Sequence, residues 1–130
     1  MKFLHTMIKA YDIEKSLKFY TELMNMEIVK EKYAPDLKFT LYYLSDKEGY
    51  TQLEIVKEDE KPQHPYNIGE TFGHLAFEVK DFDEFTKKLN NYGLDYVQKP
   101  FVLGKNGTRV AFINDPDGNS IELIQKGFKL

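Results

Sequence analysis

Leu53-Glu54-Ile55-Val56 and Ile121-Glu122-Leu123-Ile124 lie 68 residues apart and match in chemical type at every position. The same offset lays Val29 on Val97, and an offset of 69 lays His5 on His74 and Asp12 on Asp81. Self-similarity at a nearly constant offset marks a duplicated supersecondary unit. The chain therefore reads as two modules, and the rest of the sequence is parsed one module against the other.

Each module opens with an extended segment. In the first, Phe3, His5, Met7 and Lys9 share one face, while Leu4, Thr6, Ile8 and Ala10 share the other. Its counterpart is expected from about His74 to Lys80. Asp12 and Asp81 follow as N-caps, and Asp81 with Glu84 makes a D-x-x-E variant of the capping box. Ile13, Leu17, Tyr20 and Met24 then predict one amphipathic helix, and Phe82, Phe85, Leu89 and Tyr92 a second. Asn25 and Gly93 tolerate the left-handed backbone that ends a helix. About three further strands complete each half, so the expected order is βαβββ, twice, an α+β fold.

Between the modules the run KEDEKPQHPYNIGE at 57–70 is polar, holds two prolines and lacks apolar periodicity, as suits a surface linker. The organisation expected is one domain over 1–130, with module 1 at 1–57, a linker at 58–70 and module 2 at 71–130. His64, between Gln63 and Pro65 in that linker, reads as an exposed loop residue. Asp115-Pro116-Asp117-Gly118 places Pro and Gly where a tight turn needs them, directly before the strand that carries Glu122.

Composition excludes several classes of function. The chain has 130 residues, 42% of them hydrophobic, with 10 Phe and 9 Tyr, which is enough apolar surface for one packed domain. Its formal charge is −3 and its cations are dispersed, so no cationic face is available to a nucleic-acid backbone. It has no cysteine, which removes disulfides, zinc-cysteine sites, iron–sulfur clusters and a thiol nucleophile. No segment reads as a secretory leader or a membrane span, and a cytoplasmic protein is expected.

Glu54 between Leu53 and Ile55, and Glu122 between Ile121 and Leu123, are turned by the two-residue period away from the apolar face beneath the helices. His5 and His74 obey the same rule on the first strand of each module, so all four side chains can share one surface. A carboxylate in the middle of a sheet is costly to enclose without a partner, and a cation is one remedy. Two imidazoles and two carboxylates suit a borderline divalent ion such as Ni²⁺, Co²⁺ or Zn²⁺, with coordination positions left for substrate. Taken singly, each is an ordinary strand residue; their recurrence at matching positions makes His5, Glu54, His74 and Glu122 the candidate metal ligands.

The segments L-H-T-M-I-K at 4–9, S-L-K-F-Y-T at 16–21, F-G-H-L-A at 72–76 and A-F-I-N-D-P-D-G-N-S-I-E-L at 111–123 resemble the short bacterial form of the glyoxalase I (lactoylglutathione lyase) family, in the vicinal oxygen chelate superfamily. The resemblance implies the paired-module glyoxalase/bleomycin-resistance-type fold, a cleft-forming mixed sheet with helices outside. It also implies a homodimer with sites between subunits, His5 and Glu54 of one chain meeting His74 and Glu122 of the other. Nickel or cobalt is the implied metal, zinc being used by larger relatives. The implied reaction converts the hemithioacetal of methylglyoxal and glutathione to S-lactoylglutathione through an enediolate, with Glu122 as base as well as ligand and Glu54 on the opposite side of the substrate. Lys9 stands where relatives commonly carry the arginine that holds the glutathione γ-glutamyl end, and Glu58 where they carry asparagine. Lysine lacks the bidentate fork, and Glu58 repels a carboxylate, so a second thiol competes with glutathione as the natural co-substrate.

Two alternatives stand beside this reading. One is another metalloenzyme of the superfamily, a dioxygenase, an epimerase or a fosfomycin thiol transferase, against which the carboxylate of Glu54 speaks. The other is a metal-free resistance protein that sequesters a small molecule and lacks the ligand set.

Overall fold

The alternation over residues 3–10 becomes β1 (His5–Lys9), with Ile8 and Ala10 turned inward and His5, Met7 and Lys9 outward. The computed structural model describes residues 1–49, 51–105 and 107–125. The final stretch of the expected second module, 126–130, lies outside the described residues. The chain divides into two units, Met1–Asn67 and Ile68–Leu130.

In the first unit β1 leads to α1 (Ile13–Lys18), which continues as a π-helical segment, Phe19–Leu23, and then to β2 (Glu27–Ala34), β3 (Phe39–Ser45) and β4 (Gln52–Glu58). The sheet order is β1-β4-β3-β2, with β1 parallel to β4 and the remaining pairs antiparallel. The last strand thus lies between the first and third, and Glu54 is paired in the ladder with Met7 on one side and Tyr43 on the other. β4 extends through Lys57 and Glu58, so the polar run starts within the strand.

Asp12 caps α1 by accepting the Lys15 amide at 3.2 Å. The face that this helical segment buries overlaps the expected one at Tyr20 and is otherwise shifted to the neighbouring row. Ser16, Phe19, Tyr20 and Leu23 are enclosed, whereas Ile13, Leu17 and Met24 are only half-buried. The apolar arc is wide enough to offer two neighbouring rows, and the row holding Phe19 and Tyr20 together removes more apolar area from water. The two rings meet edge to face at 4.9 Å, and the small Ser16 lets the helix approach. Asn25, at φ 59°, ends the segment as expected.

The second unit repeats the order with β5 (Leu75–Glu78), α2 (Phe82–Tyr92), β6 (Gln98–Leu103), β7 (Thr108–Asn114) and β8 (Ser120–Gln125). Its sheet order, β5-β8-β7-β6, is the same topology, with β5 parallel to β8. β5 is shorter than the expected 74–80, and His74 stands just ahead of the first ladder pair, Leu75 with Ile121. The Asp81 cap reaches the Asp83 amide at 2.8 Å rather than that of Glu84, and the Phe82 amide is taken by Gln125 Oε1 at 2.9 Å. Gly93, at φ 94°, closes α2. Phe82 and Leu89 are fully buried, with Phe85 and Tyr92 half-buried beside them.

The turn before β8 is locked from inside. The Asp115 carboxylate accepts the amides of Asp117 (2.9 Å) and Asn119 (2.8 Å) and the side-chain amide of Asn119 (2.8 Å), while Gly118 takes φ 87°. Asp115 and Asn119 are both buried. This turn aligns Asn114 with Ser120 and hence Phe112 with Glu122. Among the described residues, no helix is long and apolar enough to cross a membrane.

Candidate metal centre

Glu54 is on the second strand from the sheet edge, with its side chain only 10% exposed. On the adjacent β1, His5 places Nε2 3.1 Å from Glu54 Oε2. Tyr43 stands directly across on β3, and the Glu54 carboxylate beside it, ahead of burial, holds the Tyr43 phenol above its ordinary pKa. The Tyr43 ring also meets the His5 ring edge-on at 5.7 Å. An imidazole and a carboxylate are thus set side by side, each steered by one aromatic side chain.

The second unit reproduces the pair. Glu122 on β8 lies between Ala76 on β5 and Phe112 on β7 in the ladder. His74 Nε2 is 3.7 Å from Glu122 Oε2, longer than a hydrogen bond, and the Glu122 side chain is 19% exposed. Phe112 stands to the His74 ring as Tyr43 does to that of His5, edge-on at 5.9 Å.

The structure therefore brings together His5 with Glu54, and His74 with Glu122. Each pair presents a nitrogen donor on a half-exposed histidine and an oxygen donor on a more enclosed glutamate, the chemistry that borderline divalent ions favour. Among the described residues, no group of three or more histidine, aspartate or glutamate side chains gathers around one point.

Lys9, the candidate substrate contact, is already paired: its Nζ lies 2.7 Å from Glu58 Oε1, and this bond raises its pKa. The ammonium also sits 5.6 Å above the Tyr66 ring. An adjoining cavity of about 290 Å³ is lined by Tyr11, Glu58, Lys61 and Tyr66 among others. Arg109 stacks its guanidinium 5.4 Å from the Phe82 ring, while Lys99 and Lys105 are exposed. His64 is exposed, with Nδ1 2.9 Å from the Pro65 carbonyl oxygen. Sequence reasoning missed Tyr43, although the offset of 69 that pairs the histidines also lays Tyr43 on Phe112.

The repeated βαβββ unit with a His–Glu pair in matching places defines a class, and the sequence pattern of the Glyoxalase/Bleomycin resistance protein/Dioxygenase superfamily matches residues 2–123. The chain belongs to that superfamily. Within it, the chain is 34% identical to the lactoylglutathione lyase of Neisseria meningitidis serogroup A over 97% of its own length and 91% of that protein. The trypanothione-dependent glyoxalase I of Leishmania major superposes with a TM-score of 0.77 at 29% identity, over 97% of this chain and 87% of that one. Glyoxalase I of Zea mays gives a TM-score of 0.83 at 29% identity, over 96% of this chain, which spans 44% of the maize chain.

Proposed function

We propose that the chain is a lactoylglutathione lyase, glyoxalase I, that isomerises the hemithioacetal of methylglyoxal and glutathione, or a related thiol, to the S-lactoyl thioester. The observation that carries this reading is the His–Glu pair present once in each unit, 3.1 and 3.7 Å apart, with each glutamate on the equivalent strand and each histidine at the start of its unit's first strand or just ahead of it. Similarity to the Neisseria enzyme over nearly the whole of both chains supports it.

The reaction takes a proton from the carbon bearing sulfur and returns one to the neighbouring carbon, with no net redox change. Glu122 acts as the base: it is the more exposed of the two carboxylates, and its contact with His74 is the looser. Glu54 faces the other side of the substrate. His5 and Glu54, together with His74 and Glu122 of the partner subunit, would hold a divalent ion, which would supply positive charge to stabilise the enediolate that forms when the proton is removed. Nickel or cobalt is the preferred assignment, zinc the next. The molecule works as a homodimer with two such sites, each chain forming one domain over 1–130 with modules at 1–57 and 71–130 and a linker at 58–70. A thiol-derived substrate places it in the cytoplasm, where thiols are kept reduced.

Because Lys9 is tied to Glu58, a free carboxylate at that end of the thiol meets both charges at once. Glutathione is therefore bound weakly, or a different low-molecular-weight thiol is used; the Leishmania relative is itself described as trypanothione-dependent. The test is metal analysis of protein purified without added metal, followed by turnover of several hemithioacetals after loading with nickel, cobalt or zinc. Metal-dependent turnover is expected. Protein that binds no divalent ion and turns over no hemithioacetal sinks the proposal.

A further inference from the structure

Glu54 and Glu122 occupy matching ladder positions, with Met7 and Ala76 beside them on the first strand of each unit and an aromatic ring on the other side. Across from Glu54 the ladder places Tyr43, and across from Glu122 it places Phe112. Both rings lie edge-on to the neighbouring histidine, at 5.7 and 5.9 Å and at 75° and 74°, and of the two only Tyr43 brings a hydroxyl to that place. The Glu54 side chain is 10% exposed and 3.1 Å from its histidine, and that of Glu122 is 19% exposed and 3.7 Å from its own. Glu54 has His5 within hydrogen-bond distance and the Tyr43 phenol beside it, whereas His74 stands beyond hydrogen-bond distance of Glu122.

We propose that Tyr43 is a positioning residue that fixes Glu54 as a standing ligand, while Phe112 leaves Glu122 able to turn between ligand and proton acceptor. A carboxylate has two oxygens, so one can accept from Tyr43 while the other faces an ion, and a donor behind a ligand holds its orientation. A duplicated pair of equal carboxylates would offer two equally mobile bases or two equally fixed ligands. One added hydroxyl divides the roles between the halves. The inference rests on the function proposed above and adds to it an asymmetry between the two modules.

The test uses Tyr43→Phe and Phe112→Tyr in the full-length protein, each changing one oxygen at constant ring size. Four readouts are taken: melting of the metal-free protein, metal affinity by chelator competition, the visible spectrum of the cobalt-loaded form, and kcat against KM. Tyr43→Phe is expected to leave metal-free melting unchanged, weaken metal binding roughly tenfold and alter the cobalt spectrum. Phe112→Tyr is expected to hold metal at least as tightly as the wild type while lowering kcat roughly tenfold at constant KM. Metal affinity and a cobalt spectrum in Tyr43→Phe indistinguishable from wild type overturn the role of Tyr43; unchanged kcat in Phe112→Tyr overturns the division of roles. In either case a wild-type protein that turns over hemithioacetal leaves the function standing. A wild-type protein that holds no divalent ion removes the function and this inference together.

Discussion

His5, Glu54, His74 and Glu122 were legible as candidates because a strand alternates its side chains and because each type occurs twice at matching places. Sequence could say which face each side chain takes, and the structure adds which side chain it meets: Glu54 meets His5 and Tyr43, Glu122 meets His74. Tyr43 escaped notice because a tyrosine in L-Y-Y-L reads as strand packing, and its hydroxyl becomes informative only when the cross-strand register is known. Lys9 was legible as a cation at the substrate end, but its pairing with Glu58 was not, since the two lie on different strands of the sheet. At this scale Glu122→Gln is expected to lower turnover on the order of a thousandfold by removing the base, while an amide oxygen and the other ligands retain the metal. Parallel measurement of kcat and bound metal checks it, and a fully active variant refutes the assignment.

Both helices, their caps and their ends could be read from the 3.6-residue period and from Asp12, Asp81, Asn25 and Gly93. The face that α1 buries could not, because two apolar rows adjoin on that helix and only the shape of the sheet beneath selects the one with Phe19 and Tyr20. The turn before β8 was recognised from Pro116 and Gly118, yet its strength resides in Asp115 and Asn119, which lock it through three hydrogen bonds to one carboxylate. Asp115→Ala is therefore expected to cost about 2–3 kcal/mol, since buried amides lose a charged acceptor. Urea denaturation of the metal-free protein measures this. A loss below about 0.5 kcal/mol, the range of ordinary surface substitutions, shows that the turn does not hold the register of Glu122.

For the whole molecule, the proposed homodimer makes a prediction that a single-chain site does not share. If each site takes His5 and Glu54 from one subunit and His74 and Glu122 from the partner, mixing His5→Ala with His74→Ala protein under subunit exchange creates heterodimers in which one site keeps all four ligands. Activity and tight metal binding then reappear in a mixture of two inactive parents; no recovery in a mixture shown to have exchanged subunits argues that each site is built within one chain. The sequence by itself determined the duplication, the βαβββ order of each half and the four side chains available for chemistry, because these rest on periodicity and on residue type, which are local. Only the tertiary structure decided that β4 and β8 lie between their neighbours, that Tyr43 stands across from Glu54 and Phe112 across from Glu122, and that Lys9 is matched by Glu58. Those facts depend on which strands pair and in what register, and pairing is settled by the packing of a whole sheet rather than by any single segment.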